Sequence, residues 1–569
     1  MFVRLKKTPN SSKTAIQLVE NVRTGKVIKQ KIVRHFGYAL SEEEIGPLKQ
    51  LALKYKLDLE QKQEPSFFTS DSLMADIVKG ISKADNAPSP LPVNLCNLKE
   101  EKRIRVGIHT AYGSIFDQIG FRSILKNPSR KKASIALLRN MVMARIAQPA
   151  SKLRSVDLLE KEYGINADVN AVYRMMDLVD DNAIDKMKQA AYLYTMGLLG
   201  EKINIIFYDC TTLYFESFTQ DELKQNGYSK DGKFNQSQVL LAMMVTQAGL
   251  PVGYELFEGS TFEGNTLDIA LQRLHQHYKI DKLIFVADSA MLSKDNIGKL
   301  MAGNQPFIVG ARIKNLSATV TKEILKKESY QTLLEQKEAS ENVTYTEIAL
   351  PPKELRLIVT YSPKRAAKDK HDRDKAIEQL TRLIGKSKSP KSLLNNYGYK
   401  KFVKVEGEAS LLRDEEKILQ SAAWDGLHGI ITNIKEETVN QLLHHYKGLW
   451  QIEETFRISK HDLRMRPIFR WTPKRIKAHI AICFMALMCM RTMEYKVGLQ
   501  YKKLSPAAIR NELMRLQTSI LKDYTTMKEY IIPSKATQDA KKIYQVLGLK
   551  WSDTPFAVKK VKPPNKVKK

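Results

Sequence analysis

Two short apolar runs near the middle of the chain, IIFYD from Ile205 and LIFVAD from Leu283, each lead into an aspartate, Asp209 and Asp288. Runs of this length and apolarity suit buried strands. Between and after them lie QVLLAMMVTQAGLPVGYELFEG, a hairpin turning at Gly249-Leu250-Pro251, then helical TLDIALQRLHQHY and LSKDNIGKLMA, and a further strand, PFIVGARI. Strand, hairpin, helix, strand, helix, strand is the order of an α/β fold: a mixed sheet covered by helices.

The two aspartates have a shared chemical logic. Each reads alone as a solvated or structural loop residue, but strand ends are rigid and hold side chains at fixed separation. Carboxylates brought together repel unless cations lie between them, and hard oxygen ligands favour magnesium or manganese. Two such ions about 4 Å apart suit phosphodiester cleavage or transfer. A third carboxylate is then expected.

It is sought beyond residues 315–425, a charged segment with strand patterns (VTYTEIAL, LRLIVTYS, KFVKVEG) that reads as an insertion before WDGLHGIITN resumes a strand. The stretch TVNQLLHHYKGLWQIEETFRISKHDL reads as one helix. Steps of 3, 4 and 7 put Tyr446, Leu449, Glu453 and Lys460 on roughly one face, with Glu454 about 100° away. Glu453 reads either as this third carboxylate or as half of a surface pair with Lys460 or Arg457, and on chemistry alone Glu454 competes with it. Trp450 suits a core position better than a base-stacking platform, although it stays among the DNA-facing candidates. Basic residues after the helix, including Arg464, Arg466, Lys474, Arg475 and Lys477, are placed for phosphate contact.

Charge supports that partner. Lys and Arg number 92 against 62 Asp and Glu, and a net +30 favours a polyanion, nucleic acid ahead of an anionic membrane. The four cysteines show no zinc-ligand spacing, which points to a reducing compartment without structural zinc. The start, MFVRLKKTPNSSK, lacks the apolar core of a secretory signal, and IAICFMALMCM is too short to cross a bilayer, so a buried helix of a cytoplasmic protein is expected. Residues 1–100 read as a small antiparallel β unit and a polar connector. Residues 101–200 read as helices whose basic faces (Arg130, Lys131, Lys132, Lys152, Arg154) suit either a DNA reader or a helical packing domain. Residues 496–569 read as a helical region with a basic tail.

Asp209, the aspartate of VADSAMLS, the β-rich insertion and the helix YKGLWQIEETFRISK together resemble the DDE transposases of bacterial insertion sequences, in the IS-four group with its Y-x2-R-x3-E-x6-K signature. Tyr446, Glu453 and Lys460 match it; Leu449 stands where Arg is usual, and Ser289 where many members carry Arg. The resemblance implies a ribonuclease-H-like core, residues 201–314 and 426–495, interrupted by the 315–425 insertion. It implies that Asp209, Asp288 and Glu453 bind two Mg2+ (or Mn2+) ions and that Tyr446 and Lys460 contact the DNA end, with Arg457 a candidate to replace the missing arginine. Its implied partners are double-stranded DNA, as terminal inverted repeats and target, and a second copy of the chain in a synaptic homodimer. No membrane is implied, and the location is a prokaryotic cytoplasm at the nucleoid. Alternatives are a structure-specific nuclease of the same fold, and a transposase-derived DNA-binding repressor.

Overall fold

The computed structural model describes residues 2–7, 13–24, 27–39, 42–61, 93–200, 203–216, 219–227, 235–278, 283–333, 342–350, 355–384, 402–406, 410–469 and 472–557. They form an α/β protein of two compact units. One comprises Met1–Phe262, Ile269–Ile280 and Trp450–Lys569, the other Glu263–Asp268 and Asp281–Leu449.

The first unit begins with the expected antiparallel sheet, Phe2–Lys7, Thr14–Thr24 and Val27–Ala39. Where a polar connector was expected, Glu42–Gln61 is a helix. Its Leu48, Leu51 and Ala52 fall at helical spacing and are buried. Helices then run from Gly107 to Leu199, and Pro473–Gln500 packs against several of them. That helix is long and apolar enough to cross a membrane, yet 94% of its apolar window is buried inside the protein. It is therefore a core helix, with IAICFMALMCM at its centre. Lys152, expected on a basic face, is only 2% exposed.

The C-terminal part is less helical than its sequence suggests. Gln517–Asp523 and Glu529–Pro533 pair antiparallel, and the first of them also pairs with Leu98–Arg105. The lysine-rich tail lies outside the described residues.

Also in this unit, Ile205–Tyr214, Gln238–Thr246 and Pro251–Glu258 form an antiparallel meander. It turns at Gly249, whose φ of +75° suits a residue without Cβ. Asp209 lies inside the first strand, opposite Met243, and not at its end. The strand continues because Thr211, Thr212 and Leu213 carry on the buried run. Trp450–Arg457 packs on the first two of these strands.

In the second unit Ile284–Ala287 runs parallel to Phe307–Gly310, and Leu427–Thr432 pairs antiparallel with Phe307–Gly310 on one side and Leu355–Tyr361 on the other. Thr344–Leu350 continues the sheet beside Leu355–Tyr361. Strands of the 315–425 segment are thus hydrogen-bonded to the strand that follows it. The Pro363–Ile384 helix packs on the Ser410–Arg413 strand, with Leu380 and Phe402 in a small core of their own.

The single helix expected through Tyr446 and Glu453 is in fact broken. Thr438 and Gln441 form a capping box that starts Val439–Lys447, which ends at Gly448. A new helix runs Trp450–Arg457 and opens into a π-helical turn, Ile458–Asp462. One uninterrupted helix therefore does not carry Tyr446, Leu449, Glu453 and Lys460, because glycine ends one helix and the wide turn changes the register of the next.

Candidate active site

Asp288 emerges directly from the buried strand Ile284–Ala287. Its Oδ1 accepts the Ala290 N–H at 2.8 Å and so caps the short turn Ser289–Met291. Arg312 donates to the Ser289 carbonyl at 2.9 Å and to that of Ala290 at 3.4 Å. Ser289 itself brings no cation, but a guanidinium from the segment after Phe307–Gly310 stands at the same turn. Sequence reading passed over Arg312; its position just beyond a strand end, like that of Asp288, was the available signal.

Tyr446 reaches this corner from the Val439–Lys447 helix. A Cβ on Gly310 would lie 2.6 Å from the Tyr446 hydroxyl and 3.0 Å from the Ser289 nitrogen, so only glycine permits the approach. The His428 ring is 5.3 Å from that of Tyr446. Burial, aided by Arg365, pushes the His428 pKa down to about 4. Ser289, Gly310, Arg312, Arg365, His428 and Tyr446 border a cavity of about 860 Å³ that Lys314 and Trp424 also line. Lys314 lies over the Trp424 ring at 5.8 Å.

In the first unit, Asp209 Oδ1 accepts the Cys210 N–H at 2.7 Å. The two neighbouring glutamates part company. Glu454 takes both ends of the Arg457 guanidinium at 2.6 and 2.7 Å, which holds its carboxyl below the usual range, while Asp462 stands 3.6 Å from Arg457 on the other side. Glu453 is exposed and makes no hydrogen bond or ion pair with a described residue. Arg457, expected as a phosphate contact in place of the missing arginine, is thus engaged by acids. Glu454, which competed with Glu453 as the third carboxylate, is that arginine's partner.

Other candidates divide similarly. Trp450, favoured as core, is 55% exposed. Leu449 is partly buried in the turn between the helices, and Lys460 is partly buried in the π turn. Arg464 is exposed with φ +44°, and Arg466 stacks on Tyr214 at 5.3 Å. Arg475 makes two hydrogen bonds to Asp177, and Lys477 bonds to Asp181, so both brace helices. The Glu453 helix is itself pinned: buried Arg491 donates to the Gly249 carbonyl at 2.7 Å and to Gln451 at 2.9 Å.

Residues 200–489, more than half of the chain, match the family Transposase DDE domain. The chain belongs to this family. Residues 3–65 match the N-terminal domain of the IS1634 family transposases, so this DDE transposase is of the bacterial insertion-sequence kind. No curated protein matches it. Among solved structures, the piggyBac transposase synaptic complex with hairpin DNA is similar at 10% identity and TM-score 0.35, over 82% of this chain and 79% of that one. The Mos1 mariner paired-end complex with Mn is similar at 13% identity and TM-score 0.13, over 45% and 72%.

The donor set bears on the metals such an enzyme would use. Asp209, Asp288 and Glu453, the carboxylates that the sequence singles out, are hard oxygen donors of the kind magnesium or manganese takes, and Glu453 makes no ion pair with a described residue. Asp209 and Glu453 belong to the first unit and Asp288 to the second. Among the described residues, no three His, Cys, Asp or Glu side chains stand gathered as a ready cage.

Proposed function

We propose that this transposase has a ribonuclease-H-like core, cuts the ends of its insertion sequence and joins them to target DNA, with Asp209, Asp288 and Glu453 as ligands of two divalent ions. The observation that carries this reading is the family match over residues 200–489, which contains all three carboxylates. Glu453 is supported over Glu454 because, among the described residues, it alone of the pair has no cationic partner.

When bound, the ions supply an activated water or 3′-hydroxyl and neutralise the leaving oxygen. The chain's own residues orient the DNA end. The Tyr446 hydroxyl and the Arg312 guanidinium stand at the turn after Asp288 and are positioned to hold a phosphate there, Arg312 in place of the usual family arginine beside Asp288. Lys460, Arg464 and Arg466 hold phosphates on the other side of Glu453 in sequence, and exposed Trp450 offers a ring face. Arg457 secures the helix and leaves DNA contact to the others. The partners are two terminal inverted repeats, target DNA and a second copy of the chain, acting in a bacterial cytoplasm.

The test is incubation with magnesium and DNA carrying the inverted repeats. End cleavage and strand transfer are expected, and both are lost in Asp209→Ala, Asp288→Ala and Glu453→Ala. Cleavage surviving all three substitutions would overturn the ligand assignment; cutting without joining would make the protein a nuclease, and binding without chemistry a repressor.

A further inference from the structure

Apart from the carboxylates, the first unit encloses a cavity of about 290 Å³ whose lining includes Arg145, Lys152, Arg464, Arg466 and His479 and, among the described residues, no aspartate or glutamate. Three of these groups are deep: Arg145 is 5% exposed, Lys152 2% and His479 6%. Lys152 Nζ lies 3.4 Å from His479 Nδ1, and His479 Nε2 is 3.2 Å from the Met465 carbonyl, an arrangement in which the lysine donates to a neutral imidazole. Arg145 donates to the Ala150 carbonyl at 3.0 Å and to that of Leu463 at 3.4 Å. Ser151, also in the lining, caps the Lys152–Tyr163 helix, whose first N–H groups add positive partial charge. Placing an ammonium and a guanidinium this deep costs free energy, which an anion in the cavity would help to offset. The described lining brings the cations Arg145, Lys152, Arg464 and Arg466 to one cavity, a charge that suits an anion.

We infer that this cavity is an anion site that takes one backbone phosphate of double-stranded DNA, with Arg464 and Arg466 at its mouth and Lys152, Arg145 and His479 behind. The chain argues for DNA over a small free anion. Arg464 and Arg466 directly follow the segment that carries Glu453, and exposed Phe469 lies on the rim, so a strand held near that helix passes the opening. The site would fix the register of the DNA without reading its sequence. It rests on the transposase reading but uses none of the carboxylates.

The test is fluorescence anisotropy of the full-length protein on a labelled terminal-repeat duplex over a NaCl series. Arg466→Gln and Lys152→Gln are each compared with the parent, and melting curves confirm folding; Arg466→Gln, at the mouth, is informative even if Lys152→Gln does not fold. Each is expected to weaken binding by about tenfold and to reduce the slope of log K against log salt by about 0.9, the value for one phosphate. The double variant should lose no further slope, since both groups serve the same phosphate. A single methylphosphonate scanned along the duplex should weaken the parent at one position and leave Arg466→Gln unaffected there. Unchanged slope and affinity in Arg466→Gln, or a double-variant loss near 1.8, would overturn the site. So would inorganic phosphate raising the melting temperature of the parent alone while DNA binding of the variants stays at the parent level. Asp288→Ala should keep the full slope while losing cleavage, so failure here and failure of the carboxylate assignment are separable.

Discussion

At the scale of single residues, Glu453 and Glu454 have different fates because one faces a guanidinium and its neighbour does not. Glu453→Gln is expected to reduce end cleavage by roughly a thousandfold or more while DNA binding persists. Glu454→Gln should keep most activity and cost under about 1 kcal/mol, as partly exposed ion pairs do. Since Arg457 holds the Glu454 carboxyl low, its contribution is present above the usual carboxylate range and is lost as pH falls through the lowered value; urea midpoints of parent and variant should converge at acid pH. His428 acts at a milder pH. Its folded pKa is about 4 against 6.5, so between those values the unfolded chain binds a proton that the folded chain refuses, and stability falls as pH drops from 6.5 to 4. The loss is about 2 kcal/mol once partial exposure is allowed for, and His428→Gln should flatten it. An equal decline in that variant would show that another group is responsible. The sequence spacing singled out Glu453, but the Glu454–Arg457 pair and the depressed histidine depend on neighbours that spacing does not reveal.

At the scale of elements, the Glu453 helix is short and takes its position from its contacts. Arg491 ties it to the Gly249 turn, and a Cβ at Gly249 would come 1.8 Å from the Arg491 guanidinium, so a side chain at that turn would displace the guanidinium. Arg491→Met leaves the Gly249 carbonyl and Glu494 without their cation and should cost about 3 kcal/mol. Cleavage should fall beyond what the lost stability explains, measured at a temperature where the variant is fully folded; full activity there would show that the tie does not position Glu453. Strands and helices of the central region were legible because their apolar periods are long and clean. The break at Gly448 was not, because a 3.6-residue period survives a turn of two residues. Nor was the strand partner of Leu355–Tyr361, since an alternating pattern states which face is buried and not which strand lies beside it.

At the scale of the whole molecule, the least legible contacts are the most distant in sequence, such as Gln517–Asp523 pairing with Leu98–Arg105. No local pattern specifies them, and loop closure over that span must precede any reward. The net charge of +30 was legible at once, and it separates two properties of a transposase. Binding to the DNA backbone depends on cations of the chain and on released counterions, so raising NaCl from about 50 to about 200 mM should weaken it by roughly a thousandfold. Chemistry depends on carboxylates and, in the proposed mechanism, on divalent ions. EDTA at constant ionic strength should therefore leave anisotropy on the terminal-repeat duplex unchanged while abolishing cleavage, with magnesium or manganese restoring it. Asp209→Ala, Asp288→Ala and Glu453→Ala should each reproduce the EDTA state in full magnesium. Cleavage that resists EDTA would remove the ions from the mechanism, whereas binding lost with EDTA would mean that the ions organise the DNA interface itself.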